Sequence, residues 1–139
     1  MTDYSVISSY VNKDKVEDLV SKLEALNKTC YNFCLNPADP DDPHAPPAEQ
    51  MKQRYKTTDD FFNDPYAKWV FETDLKGLLG AEKVILLLPA GKSSHIEAGI
   101  AYGHGKHLIL IGKPEEPDSL YFIFNERHDT VDNFLASLT

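Results

Sequence analysis

This chain of 139 residues predicts an α/β fold, a single-domain sandwich on a roughly five-stranded parallel sheet, flavodoxin/Rossmann-like in kind. Three observations predict it. Val84 to Leu88 and His107 to Ile111 are short, unalternating apolar runs, as strands buried on both faces are. Val16, Leu19, Val20, Leu23 and Leu26 recur at helical spacing between two strand-like stretches. A strand, helix, strand unit with a short exit favours a right-handed parallel crossover.

The elements follow in order. Tyr4 to Ser9 is a first strand, and Asn12 or Asp14 can start the helix that carries the Val16 to Leu26 stripe. Thr29 to Cys34 is a second strand. From Asn36 to Thr58 the composition breaks, with Pro37, Pro40, Pro43, Pro46 and Pro47 among Asp39, Asp41, Asp42 and His44. Proline density without periodicity makes residues 36–58 a long loop at the carboxyl end of the second strand, and loops of this length in compact domains commonly act as lids. From Thr58 or Asp59 onward, Phe61, Phe62, Tyr66, Trp69, Val70 and Thr73 predict one helix with an aromatic face, and Gly77 and Gly80 near its end permit close packing or a cap. The central strand Val84 to Leu88, a helix and the strand His107 to Ile111 come next. Tyr121 to Phe124 is a fifth apolar run, too short for periodicity to separate strand from helix. Val131, Phe134, Leu135 and Leu138 suit a closing helix begun near Asp129 or Thr130, so residues 1–139 form one domain without a repeat.

Composition narrows the function classes. A net charge of −8 without clustered Lys or Arg argues against binding a nucleic acid polymer. No apolar run approaches the roughly 20 residues that span a bilayer, and Met1-Thr2-Asp3-Tyr4 lacks a signal-peptide pattern, so a cytoplasmic protein with no membrane partner is expected. Cys30 and Cys34 then serve as small core residues rather than as a disulfide.

The stretch Leu86-Leu87-Leu88-Pro89-Ala90-Gly91-Lys92-Ser93-Ser94-His95-Ile96-Glu97-Ala98-Gly99 reads as a buried strand emptying into a small-residue turn and then a helix. In open parallel sheets ligands bind at the carboxyl ends of the strands, which puts Glu97, in the first turn of that helix, where chemistry is expected. Two readings of Glu97 stand. Ser94-His95-Ile96-Glu97 fits a capping box, with Ser94 accepting from the helix backbone and the glutamate reaching back. Alternatively Glu97 is a nucleophile kept ionised by the helix N-terminus. Ala98, Gly99, Ala101, Gly103 and Gly105 favour the second, since they strip bulk from around the carboxylate while glycine in a helix costs roughly 1 kcal/mol against alanine.

The order Asp74, Leu75 to Ala81, Val84 to Leu88, Pro89-Ala90-Gly91, Glu97-Ala98-Gly99-Ile100-Ala101, Gly105-Lys106 and Leu108 to Ile111 resembles the nucleoside 2-deoxyribosyltransferase-like family, which includes deoxynucleoside monophosphate N-glycosidases. The resemblance covers about a third of the chain. It implies an enzyme of nucleotide metabolism, a transferase or hydrolase at an N-glycosidic bond, with Glu97 as nucleophile at the anomeric carbon and Asp74 assisting. Asp74 then either protonates the departing base, if crowding by Glu97 raises its pKa, or orients the glutamate or a sugar hydroxyl. The resemblance further implies a nucleoside or its 5′-monophosphate as substrate, no cofactor, and a homodimer or higher homo-oligomer whose neighbouring copies complete the pocket. Where the transferases carry an aspartate about six residues before the glutamate, this chain has Gly91. Ser8 and Ser9 at the end of the first strand, with Gly91, Lys92, Ser93, Ser94 and His95, are the candidates for holding the sugar or a 5′-phosphate.

Other chemistries fit less well. Gly91-Lys92-Ser93 lacks the earlier glycine of a phosphate-binding loop. Ser93 or Ser94 cannot face His95 as a nucleophile and base must, being adjacent on a helix start. His44, His95, His104, His107 and His128 are not arranged as a metal-ligand set, and no metal is implied. A catalytically silent nucleotide-binding or sensing module and an NAD-type glycohydrolase remain as alternatives.

Overall fold

The computed structural model of the chain describes residues 1–35 and 58–139; of the loop at 36–58, all but Thr58 lies outside them. The strands are β1 (Thr2–Ile7), β2 (Cys30–Asn32), β3 (Ala81–Leu87), β4 (His107–Ile111) and β5 (Glu126–His128), and the helices α1 (Lys13–Ala25), α2 (Thr58–Phe62), α3 (Pro65–Leu79), α4 (Lys92–Gly103) and α5 (Val131–Ala136). The strands form one sheet in the order β2-β1-β3-β4-β5, every pair parallel. The α/β architecture read from the sequence is the one observed.

Burial on both faces explains the unalternating runs. Tyr4, Val6, Ile85, Leu87, Ile109 and Ile111 point to one side, where α1 supplies Val16, Leu19, Val20 and Leu23 and α5 supplies Phe134. Ile7, Val84, Leu86, Leu108 and Leu110 point to the other, against Leu78 of α3 and Ala98 and Ala101 of α4. Local chemistry sets the helix ends. The Asp64 carboxylate accepts from the Tyr66 N–H and Pro65 occupies the first helical position. That pair splits the single helix expected from residue 58 onward into α2 and α3, because proline cannot donate into a preceding turn. Helix α4 ends with Gly105 at φ 73°, and Lys106 N–H returns to the Ala101 carbonyl at 3.0 Å.

The fifth apolar run, left open between strand and helix by its length, is decided by the structure. Tyr121 to Phe124 is not a strand: Ser119–Ile123 form a 3₁₀ turn begun by the Asp118 carboxylate, leaving Phe124 buried and Leu120 and Phe122 exposed. The fifth strand is instead the polar triplet Glu126–His128. It is fastened by side chains, with the Glu126 carboxylate accepting from His107 Nε2 at 2.5 Å and His128 Nε2 at 3.1 Å. Burial works against the Glu126 charge, yet these two hydrogen bonds hold its pKa below the usual glutamate value.

Where β4 ends, Gly112 adopts φ 106° and an added Cβ would meet Leu88 Cβ at 2.9 Å. Only glycine fits there without strain. Gly112→Ala is expected to cost about 1–3 kcal/mol, read as a lower urea midpoint; an unchanged midpoint would contradict this account.

Candidate active site

The winding of the sheet reverses between β1 and β3, since β1 leads outward to β2 while β3 leads to β4 and β5. Adjacent strands whose connections leave in opposite directions open a crevice at their carboxyl ends. The turns beginning at Ser8 and at Leu88 border it, and polar contacts tie them together. Ser8 Oγ donates to the Leu87 carbonyl at 2.7 Å, while Asn12 Nδ2 donates to Ser8 Oγ at 3.2 Å and to the Pro89 carbonyl. Both side chains are buried. Ser8 thus holds the crevice in shape, with its proton committed to the backbone.

Helix α4 begins at Lys92 with Gly91 as N-cap and no side-chain cap. The capping box is therefore not formed: Ser94 is buried inside the first turn, and Glu97 is the sixth residue of the helix, beyond that turn. The helix N-terminus consequently does not keep Glu97 ionised. Its partly buried carboxyl is pushed up to about 7, by burial first and by the neighbouring Asp74 charge second. Asp74 lies on α3 and accepts a hydrogen bond from the Tyr31 hydroxyl at 3.0 Å on Oδ1. The Asp74 charge thus acts on Glu97, whose carboxyl titrates near neutrality. Gly99 and Gly103 do not clear space around the carboxylate as expected; both are exposed, with nothing within 4 Å of an added Cβ.

The other sequence-derived candidates divide by location. Gly91, Lys92 and Ser93 are exposed at the start of α4, and Ser9 is partly exposed after β1. His95 departs to the other side of α4, as positions two apart on a helix must. Its Nδ1 lies 2.7 Å from the Gly91 carbonyl, which can only accept, so Nδ1 carries the proton and Nε2 faces the Tyr121 hydroxyl at 2.9 Å. His95, Ala98, Gly99 and Tyr102, with Tyr121 and Phe124, line an open cavity of about 1020 Å³, and neither Glu97 nor Asp74 is among its lining residues. The structure therefore brings together Glu97 and Asp74 and separates them from His95. Tyr31, Asn12 and Tyr121 were missed as contributors. For Tyr31 one signal existed: Gly77, inside a helix and three residues after Asp74, vacates volume for a bulky neighbour.

No protein-family model matches the chain, and no curated protein matches it in sequence. Solved structures do. A 2-deoxyribosyltransferase from the psychrotolerant bacterium Bacillus psychrosaccharolyticus matches with a TM-score of 0.67 and 14% identity over 96% of this chain and 90% of its own. A CMP N-glycosidase from Clostridium botulinum matches with a TM-score of 0.57 and 16% identity over 98% and 97%. The fold is that of nucleoside 2-deoxyribosyltransferase-like proteins. At these identities the likeness is one of architecture, and the site is argued from its own residues.

The raised pKa of Glu97 has a consequence for stability. Unfolded, the group titrates near 4.5; folded, it titrates at about 7. The folded state binds the extra proton between those values, so this contribution is fully present below the lower pH and is lost as pH rises through the upper one. The shift corresponds to on the order of 3 kcal/mol as an upper limit. Glu97→Gln is expected to raise the urea midpoint at about pH 8 and to leave it near wild type at about pH 4. Equal midpoint shifts at both pH values would count against a buried, neutral-titrating Glu97.

Proposed function

We propose that this chain is an enzyme that cleaves or transfers at the N-glycosidic bond of a nucleoside or its 5′-monophosphate, with Glu97 as nucleophile. The single observation that carries this reading is the Glu97–Asp74 pair, partly buried between two helices of a fold shared with a 2-deoxyribosyltransferase and a CMP N-glycosidase. Ionised Glu97 bonds to the anomeric carbon as the carbon–nitrogen bond breaks. The base leaves with the electron pair and takes up a proton, and the carboxylate stabilises the oxocarbenium-like charge as in retaining glycosidases. Water then restores the carboxylate in a hydrolase, and a second base does so in a transferase. Asp74, bonded by Tyr31, orients the glutamate or a sugar hydroxyl. The uncapped start of α4, with Gly91, Lys92 and Ser93 exposed on it and Ser9 across the crevice, is suited to a 5′-phosphate. A cytoplasmic setting fits Cys30 and Cys34 packed as small side chains against the core, and no helix among the described residues is long and apolar enough to cross a membrane.

Incubation with mixed nucleosides, nucleoside 5′-monophosphates and NAD, followed by chromatography, tests the reading. Release of base from the first two classes is expected, with kcat/KM rising as pH increases through about 7 as Glu97 ionises. Glu97→Ala and Glu97→Gln should remain folded and lose this activity, while Asp74→Asn should lower turnover with little change in melting temperature. Wild-type rates in either Glu97 variant would overturn the nucleophile assignment. Consumption of NAD alone would instead indicate an NAD-type glycohydrolase, and ligand binding without turnover a silent sensing module.

A homodimer or higher homo-oligomer belongs to the same proposal. Leu120 and Phe122 are 72% and 82% exposed beside Arg127, an apolar contact with a polar edge. Light scattering over a range of concentrations should give at least a dimer, and Phe122→Asp should weaken it; a strictly monomeric active species would remove the shared-site idea.

A further inference from the structure

We propose that Tyr31 is a positioning residue of this site, its phenol seated in the space left by Gly77 so that its hydroxyl holds Asp74 in place beside Glu97. The proposal rests on the reaction assigned to Glu97 above.

Tyr31 is the middle residue of β2 and pairs with Ser5 of β1, so it shares the sheet face that carries α3 and α4. On α3, Asp74 and Gly77 are three apart and lie on one side of the helix. A Cβ added at Gly77 would stand 2.4–2.5 Å from Cε1, Cζ and Cε2 of Tyr31, closer than real Cβ contacts come. The hydroxyl end of the ring therefore lies directly over Gly77, and from there it donates to Asp74 Oδ1 at 3.0 Å, one turn earlier on the same helix. Glycine inside a helix costs about 1 kcal/mol against alanine, and here it is what lets the phenol reach the carboxylate.

The surroundings make Asp74 the group through which Tyr31 would act. Among the described residues, the charge that raises the Glu97 pKa is Asp74 from α3. The strands beneath present Ser5, Ile7, Val84, Leu86, Leu108 and Leu110 on that face, none of which titrates near neutrality. Asp3 and Glu82 share the face only at the amino-terminal ends of β1 and β3, Arg127 shares it on the edge strand β5 and is exposed, and His95 of α4 is bonded to Gly91 and Tyr121 on the far side of the helix. The phenol donates to one Asp74 oxygen, which orients the carboxylate and favours its charged form. Removing that donor withdraws a hydrogen bond that favours the Asp74 carboxylate, weakens the charge facing Glu97, and so lets Glu97 titrate at lower pH.

The test uses the full chain in Tyr31→Phe, Gly77→Ala, Asp74→Asn and Tyr31→Phe/Asp74→Asn variants. Two readouts are taken. The first is the titration of the Glu97 Cδ resonance in isotope-enriched protein, assigned by its absence in Glu97→Gln, which needs no turnover. The second is kcat and KM for base release. Tyr31→Phe should move the Glu97 midpoint to lower pH and reduce kcat about tenfold with KM little changed, the scale expected when a hydrogen bond to a charged group is lost. Gly77→Ala, which pushes the ring away while leaving its hydroxyl intact, should do the same without lowering the melting temperature. Tyr31→Phe should have no further effect in the Asp74→Asn background. A Glu97 midpoint and kcat unchanged in Tyr31→Phe, or an equal loss with and without Asp74, would overturn the positioning role. Wild-type turnover in Glu97→Gln would instead overturn the reaction on which the proposal rests, so the two failures are distinguishable.

Discussion

The reversal of winding between β1 and β3 is the constraint on which the remaining geometry depends. A parallel strand can be followed only by a crossover over one face of the sheet. Here α1 crosses the face opposite to α3 and α4. Because the two connections leave β1 and β3 in opposite directions, they open a crevice above the carboxyl ends of these strands. The turns at Ser8 and Pro89 border that space, and the Ser8 and Asn12 side chains bond across it. Those groups bear on the rigidity of the crevice.

Burial beside a like charge is the second determinant. Helix α4 presses Ser94, Ala98 and Ala101 inward, which puts Glu97 on the flank of the helix rather than at its solvated tip. Taking a carboxyl out of water disfavours its charge, and Asp74 adds to the penalty. A group held near its titration point at neutral pH can exchange a proton there, at some expense in stability above that pH. Tyr31 offsets part of the cost of keeping Asp74 next to it by donating to one of its oxygens.

The two flanks of α4 differ in character. One carries the carboxylate pair, and the other carries His95 bonded to Tyr121 at the wall of a cavity lined largely by apolar and aromatic side chains. Helical geometry alone enforces the separation, since residues 95 and 97 cannot face the same way. Similarity of fold to a 2-deoxyribosyltransferase and a CMP N-glycosidase does not choose between the flanks; the flank that carries Glu97 differs from the other in a carboxyl whose pKa is raised by burial and by Asp74.

Elements stabilised by local patterning were legible from the sequence. The continuous runs Val84 to Leu88 and His107 to Ile111 marked strands buried on both faces, and the stripe from Val16 to Leu23 marked α1, because burial repeats with the period of the backbone. Glu97 and Asp74 were singled out by the order of residues around them, while their proximity was not legible there. The polar strand Glu126–His128 was not, since three residues without periodicity are defined only by the neighbour they pair with and by a carboxylate shared between two histidines. Nor was the start of α4, where Ser94-x-x-Glu97 satisfied a local capping rule that the buried packing of Ser94 overrode. That Glu97 titrates near neutrality, and that Tyr31 reaches Asp74 over Gly77, depend on groups 23 and 43 positions apart in the chain. Such proximity is created by the sheet and its crossovers, and a linear pattern holds no record of it.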